Sequence, residues 1–219
     1  MSEQTDAQEG RILLVDKPYE WTSFDVVKKL RNKLGVKKIG HAGTLDPLAT
    51  GLLILCTNKK TKQIQFIQDE EKEYTGTMVI GETTPSYDLE TEVSNKKDIA
   101  HITESDLVSA KEKFQGVIAQ VPPIYSAIKV KGKRAYESAR KNEKVELKPR
   151  NIEIKLFEFE EINLPEISFR VICSKGTYIR SLANDLGEEL GVGAYLSSLR
   201  RVRIGDYSIE NAQTIEAIV

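Results

Sequence analysis

Two cysteines, two histidines, two methionines and one tryptophan are all that the 219 residues contain of those types. Each scarcity closes off a kind of chemistry. Cys56 and Cys173 stand far apart, each at or inside an apolar run and without the paired spacing of a zinc site, so they read as buried thiols. His41 and His101 are too few for a histidine metal centre, and a Ser-His-Asp hydrolase would have to be built on one of them. Chemistry here falls to carboxylates. Long apolar runs are missing too: the longest, residues 51–56, is far short of the roughly 20 residues that cross a bilayer. The first ten residues are polar and acidic, unlike a secretory signal, and are expected to form a disordered leader on a cytoplasmic protein.

An excess of positive charge is also absent. With 32 basic and 33 acidic residues the net charge is −1, which excludes a protein that grips nucleic acid over its whole surface. Local clusters remain. Lys28, Lys29, Arg31, Lys33, Lys37 and Lys38 lead up to His41 with no acid between them, and Lys129, Lys131, Lys133, Arg134, Arg140 and Lys141 are diluted only by Glu137. A run of this kind is commonly a solvated face, so it gains meaning only from neighbouring motifs.

What is present is a packed globular composition, 40% hydrophobic and 30% charged. Residues 11–15 (RILLV) read as a strand that Lys17-Pro18 ends. Thr22 or Ser23 caps a helix carrying Val26, Val27, Leu30 and Leu34 at helical spacing, and Gly35 stops it. Residues 40–50 (GHAGTLDPLAT) show no amphipathic period and read as a loop of the sort that carries function, followed by a buried strand at 51–55. A helix at 62–67, a strand at 73–80, a helix at 104–115, strands at 152–159 and 166–173, and helices at 178–190 and 193–201 complete the reading. Strands and helices do not alternate regularly, which predicts an α+β domain over 11–219 with a mixed, largely antiparallel sheet flanked by helices. Residues 121–150, opened by Pro122-Pro123 and closed by Pro149-Arg150, read as an insertion. Two stock motifs fail: residues 191–196 (GVGAYL) lack the third glycine of a dinucleotide loop, and Gly132-Lys133 lacks the rest of a P-loop, so no nucleotide cofactor is implied.

Four blocks, in order, resemble the TruB family of pseudouridine synthases: GHAGTLDPLATGLLIL at 40–55, PPIYSAIKVKGKRAYESAR at 122–140, CSKGTYIRSLANDLG at 173–187, and Leu199-Arg200-Arg201 before Ile204-Gly205. The resemblance implies the pseudouridine synthase fold with an RNA-binding insertion, and isomerisation of uridine 55 in the tRNA T loop without cofactor or metal. It assigns Asp46 as the catalytic carboxylate, Arg180 as its cationic partner, and Tyr74 as the ring that contacts the target base and takes part in proton transfer at C5. Tyr178 and Leu199 match positions that shape the base pocket, His41 one that holds extruded nucleotides, and Lys17 one that supports the pocket or meets phosphate. Lys129, Lys131, Arg134 and Arg140 fall in the RNA-gripping insertion. The expected partner is the T loop and stem of tRNA, bound by a monomer with no membrane. Two departures stand out: Glu20 where the family usually has glycine, and Pro85-Ser86 where it more often has an acid and a threonine. No C-terminal PUA domain is expected after Val219. Competing readings are a noncatalytic tRNA-binding or tRNA-folding protein of the same fold and a guide-RNA-dependent enzyme of the dyskerin type.

Overall fold

The computed structural model describes residues 9–126, 128–130, 133–135 and 147–219. The chain divides into two compact units, one formed by residues 1–75 with 199–219 and the other by 76–198.

The first unit is built around β3 (Thr50–Thr57), whose residues from Gly51 onward are all buried. A run of TGLLILCT with no polar alternation is what a strand covered on both faces requires. β1 (Ile12–Lys17) lies antiparallel to it, in register from Ile12↔Cys56 to Lys17↔Gly51. The short β2 (Ile39–His41) is also antiparallel to β3, from Ile39↔Thr57 to His41↔Leu55. Leu52, Ile54 and Cys56 on one face of β3 pack with Ala42, Ile67 and Ile204 into an apolar cluster that Ile12, Leu14 and Tyr207 extend. α1 (Ser23–Leu34) buries Ser23, Val26, Val27 and Leu30, the stripe expected from its spacing. Its ends are set locally: Thr22 and Asp25 form a reciprocal capping box, and Gly35 closes the helix at φ 61°. A 3₁₀ turn (Asn58–Gln63) and the short α2 (Ile64–Asp69) follow β3.

β4 (Lys72–Ile80) and β10 (Ala194–Ile204) each run across the boundary in the chain between the two units. Within the first unit, the later half of β10 pairs parallel with β3 at Arg200↔Thr50 and Arg201↔Gly51, then turns at Gly205 into β11 (Tyr207–Ser208).

In the second unit the strand order is β10-β4-β9-β8-β5. β8 (Arg150–Asn163) and β9 (Glu166–Cys173) form a long hairpin, and β5 (Gly116–Gln120) lies antiparallel to β8. Ile167, Phe169, Val171 and Cys173 alternate inward on β9, and Phe157 meets Phe169 edge-on at 6.2 Å. α3 (Glu104–Glu112), capped by Thr103, and α4 (Ile179–Glu189) accompany this sheet, and a two-stranded ribbon, β6 (Lys129–Val130) with β7 (Lys133–Arg134), stands apart from it. Both cysteines are buried thiols. Among the described residues, no helix is long and apolar enough to cross a membrane.

The α+β class and the mixed, largely antiparallel pairing agree with the sequence reading. Three details do not. Of the residues 193–201 read as a helix, 194–201 belong to strand β10, because pairing to β3 and contact with β4, where Ser197 Oγ donates to the Thr77 carbonyl at 3.2 Å, override a spacing that also fits a helix turn. Gly40 and His41 belong to β2 rather than to the loop after it. β5, exposed along most of its length, shows no apolar alternation for the sequence to reveal. The expected leader lies outside the described residues except for Glu9 and Gly10.

Candidate active site

In the first unit the sheet register brings the expected Lys17 level with two residues of the quoted blocks, Gly51 and Arg201. Gly51 on β3 faces Lys17 on β1 and Arg201 on β10 in register, so a buried cation stands on either side of a residue with no side chain. A Cβ on Gly51 would come within 2.3 Å of the Arg201 carbonyl oxygen, and its φ of +97° is one that side-chain-bearing residues rarely adopt.

These two cations hold the 42–49 loop on both sides of Asp46. Arg201 donates from Nε to the Leu52 carbonyl at 2.8 Å and from Nη2 to the Gly43 carbonyl at 3.1 Å. Lys17, with no exposed surface, donates from Nζ to the carbonyls of Pro18 (2.9 Å), Trp21 (2.6 Å) and Pro47 (3.1 Å). Ser23, at the start of α1, closes the loop from a third side: it accepts from Leu45 N at 2.9 Å and donates to Leu45 O at 3.1 Å. Asp46 opens a turn closed by Ala49 N to Asp46 O at 3.1 Å, with Pro47 in the position whose φ a proline presets. Ala42, Leu45 and Ala49 are buried. The loop that periodicity leaves blank is therefore pinned at nearly every second residue, and the Asp46 side chain is half-exposed on a fixed backbone.

Burial drives the Lys17 pKa down to about 8 against the opposing pull of the Asp46 carboxylate, with Arg201 adding to the depression. His41, at the end of β2, is held below its ordinary pKa mainly by burial, which outweighs the Gly43 backbone contact; its Nδ1 is buried without a hydrogen-bond partner among the described residues. Tyr74 is a buried residue of β4, and Leu199 on β10 is half-buried with its carbonyl accepting from Thr50 Oγ1 at 3.5 Å. Arg200 forms a two-pronged pair with Asp16 at 3.0 and 2.7 Å beside Lys17.

The second unit carries Tyr178 and Arg180. Arg180, on the first turn of α4 and 3% exposed, donates to the carbonyls of Ser86 (3.0 Å) and Tyr125 (2.9 Å) and lies 3.5 Å from the Asp88 carboxylate. The buried Gln120 side chain grips the Tyr178 backbone twice, accepting from its N–H at 2.8 Å and donating to its carbonyl at 3.1 Å. Ser181 Oγ adds a bond to the Val121 carbonyl at 2.8 Å. The start of the 121–150 segment is thus tied to the head of α4. The ribbon holds Lys129 and Arg134 in register; Lys131 and Arg140 lie outside the described residues.

Both departures from the family pattern keep a defined geometry. Glu20 adopts φ 65°, so the turn keeps a left-handed residue despite the missing glycine. In the 84–88 loop, Thr84 Oγ1 and Ser86 Oγ both donate to the Asp88 carbonyl, at 2.6 and 3.1 Å. The sequence reading assigns no role to Ser23, Asp88, Gln120 or Arg201, although Arg201 falls in a quoted block. The signal that finds them is a polar side chain buried against loop carbonyls, which only the fold reveals.

The fold and the carboxylate loop that leads into β3 go with a pseudouridylate synthase: the family model described as "TruB family pseudouridylate synthase (N terminal domain)" matches residues 31–179, followed by "tRNA pseudouridylate synthase B C-terminal domain" over 180–219. The chain belongs to the TruB family. It is 54% identical to the tRNA pseudouridine synthase B of Flavobacterium johnsoniae over 211 residues, covering 93% of this chain and 92% of the relative, and 53% identical to that of Phocaeicola vulgatus, with 96% and 92% covered. Among solved structures it resembles a chain of a Cbf5-Nop10-Gar1 complex, with a TM-score of 0.76 at 31% identity over 99% of this chain; it spans only 55% of that chain.

Proposed function

We propose that this chain isomerises uridine 55 of the tRNA T loop to pseudouridine, with Asp46 as the carboxylate that opens the glycosidic bond. The observation that carries the reading is the immobilised loop: a half-exposed carboxylate on a backbone fixed by Lys17, Ser23 and Arg201, within a chain that is about half identical to relatives named tRNA pseudouridine synthase B.

The reaction breaks the bond from ribose C1′ to uracil N1, forms one from C1′ to C5, and removes the C5 proton while N1 gains one, with no net oxidation. Positive character develops on the sugar as the bond opens, and Asp46 meets it either as a nucleophile at C1′ or as a base at C2′. Arg180 supplies a cation that keeps the carboxylate ionised, and Tyr74 stacks on the base and handles the C5 proton. His41, Tyr178 and Leu199 receive the extruded nucleotide, which recovers part of the few kcal/mol that flipping costs. Lys129, Lys131, Arg134 and Arg140 hold the RNA backbone. The substrate is folded tRNA, the working form a monomer and the compartment the cytoplasm. The relatives named tRNA pseudouridine synthase B, at 54% and 53% identity over nearly their whole length, favour this over an assembly-dependent enzyme, since the Cbf5 complex chain is matched at 31% and over about half its length.

The test is incubation of the purified protein alone with an unmodified tRNA transcript, followed by mapping of pseudouridine. One pseudouridine, at position 55, is expected. A transcript that is bound and refolded but unmodified would instead make the protein a noncatalytic binder.

A further inference from the structure

The first unit has a second face that this chemistry leaves unused. At the end of β3 opposite Thr50, an open groove of about 950 Å³ is lined by Arg11, Lys37, Lys38, Lys59 and Lys62, and among the described residues no acid lines it. In a chain of net charge −1 such a one-sided lining is local and specific. Sheet geometry builds it. The Thr57 amide donates to the Arg11 carbonyl and the Asn58 amide to the Lys38 carbonyl, each at 2.9 Å, which ties three chain segments together at this end. Asn58, at φ 45°, then turns the chain into the 3₁₀ segment that presents Lys59 and Lys62.

The basic run that the sequence shows before His41 is divided by the fold. Lys28 and Lys29 line a separate hollow beside Glu20 and Asp25, where acids offset them. Lys37 and Lys38 end up with Lys62 in the groove; all three are exposed and make no ion pair among the described residues. Lys59 pairs with Glu9, but both side chains are 62% exposed, and such a pair is worth little in water and exchanges readily for another anion. Only Leu34 and Val36 give the lining any apolar bulk, so the groove suits a chain of charges rather than a hydrophobic partner.

We propose that this groove seats the phosphate backbone of the tRNA stem that leads away from the modified loop. The inference rests on folded tRNA being the substrate. β3 is eight residues long, so roughly 20 Å separates the groove from the Thr50 end that follows the Asp46 loop. At the duplex spacing of about 3.4 Å per phosphate on one strand, that span is about six nucleotides of a paired stem. The stem is the part of the substrate that reaches it.

The test compares the parent with the triple variant Lys37→Gln, Lys38→Gln, Lys62→Gln in filter-binding titrations over a salt series. Two RNAs are used: whole unmodified tRNA, and a short hairpin carrying the T loop with only its nearest pairs. For whole tRNA the variant is expected to bind about tenfold more weakly at moderate salt, with a log-log salt slope shallower by about 2, since each phosphate contact contributes roughly 0.7 to 0.9. Hairpin affinity and hairpin turnover stay at parent values, and the corresponding triple Lys→Arg variant keeps the parent slope. Whole-tRNA affinity within twofold of the parent with an unchanged slope would overturn the proposal, as would an equal loss on the hairpin. A parent that proves inactive yet loses the same slope on substitution would sink the isomerase reading while upholding the groove.

Discussion

At Lys17, burial and hydrogen bonding pull in opposite directions. Removing the ammonium from water lowers its pKa from the ordinary 10.5 to about 8, while three carbonyls, one of them next to Asp46, take its three protons. The sign for stability follows from proton counts. Between about pH 8 and 10.5 the unfolded chain holds this proton more firmly than the folded one, so the parent gains stability with rising pH across that window. Measured against Lys17→Met in thermal melts, the gain is expected to reach on the order of 2–3 kcal/mol; a difference that does not change with pH would show that the buried Lys17 keeps its proton as firmly as in the unfolded chain. Function runs the other way. A neutral amine has two protons for three carbonyls, so the hold on the Asp46 loop loosens and single-turnover rates are expected to fall as pH rises through about 8.

Among the elements, the crossing of β3 with β10 is the joint on which the first unit depends. Gly51 allows Arg201 to lie alongside it, and Arg201 in turn reaches the Gly43 carbonyl in the Asp46 loop. Gly51→Ala places a methyl group 2.3 Å from the Arg201 carbonyl oxygen at a φ of +97°, so one strand must shift. The expected loss is at least about 2–3 kcal/mol in urea unfolding, with turnover falling further than stability alone accounts for, because the loop moves with Arg201. A loss under about 0.5 kcal/mol would mean that β3 and β10 are not pressed together there. The same joint shows where sequence reading stops. α1 is legible because its cap, stripe and stop are local, and β3 because an unbroken apolar run needs cover on both faces. β10 is not: Tyr195, Leu196 and Leu199 fit helical spacing, and only the partners on either side make residues 194–204 a strand. Asp46 and Lys17 are legible from the sequence, but the cage is not, since Ser23 and Arg201 join Lys17 from separate elements and the bonds that matter end on backbone carbonyls.

For the molecule as a whole, near-neutral charge and a carboxylate set among cations point to a protein that spends its binding locally and its chemistry on Asp46. Asp46→Asn keeps the size of the side chain and its tendency to open a turn before Pro47 while removing the charge that the proposed reaction uses at the sugar. Folding and tRNA affinity are expected to stay within a few-fold of the parent. The decisive measurement is single-turnover isomerisation at position 55 of an unmodified tRNA transcript by Asp46→Asn at saturating enzyme, beside a filter-binding titration of the same preparation. Full binding with turnover lowered by at least about a thousandfold is the expected result, the loss typical of removing a group that acts in the transition state; isomerisation within tenfold of the parent would contradict the assignment of Asp46 as the catalytic carboxylate.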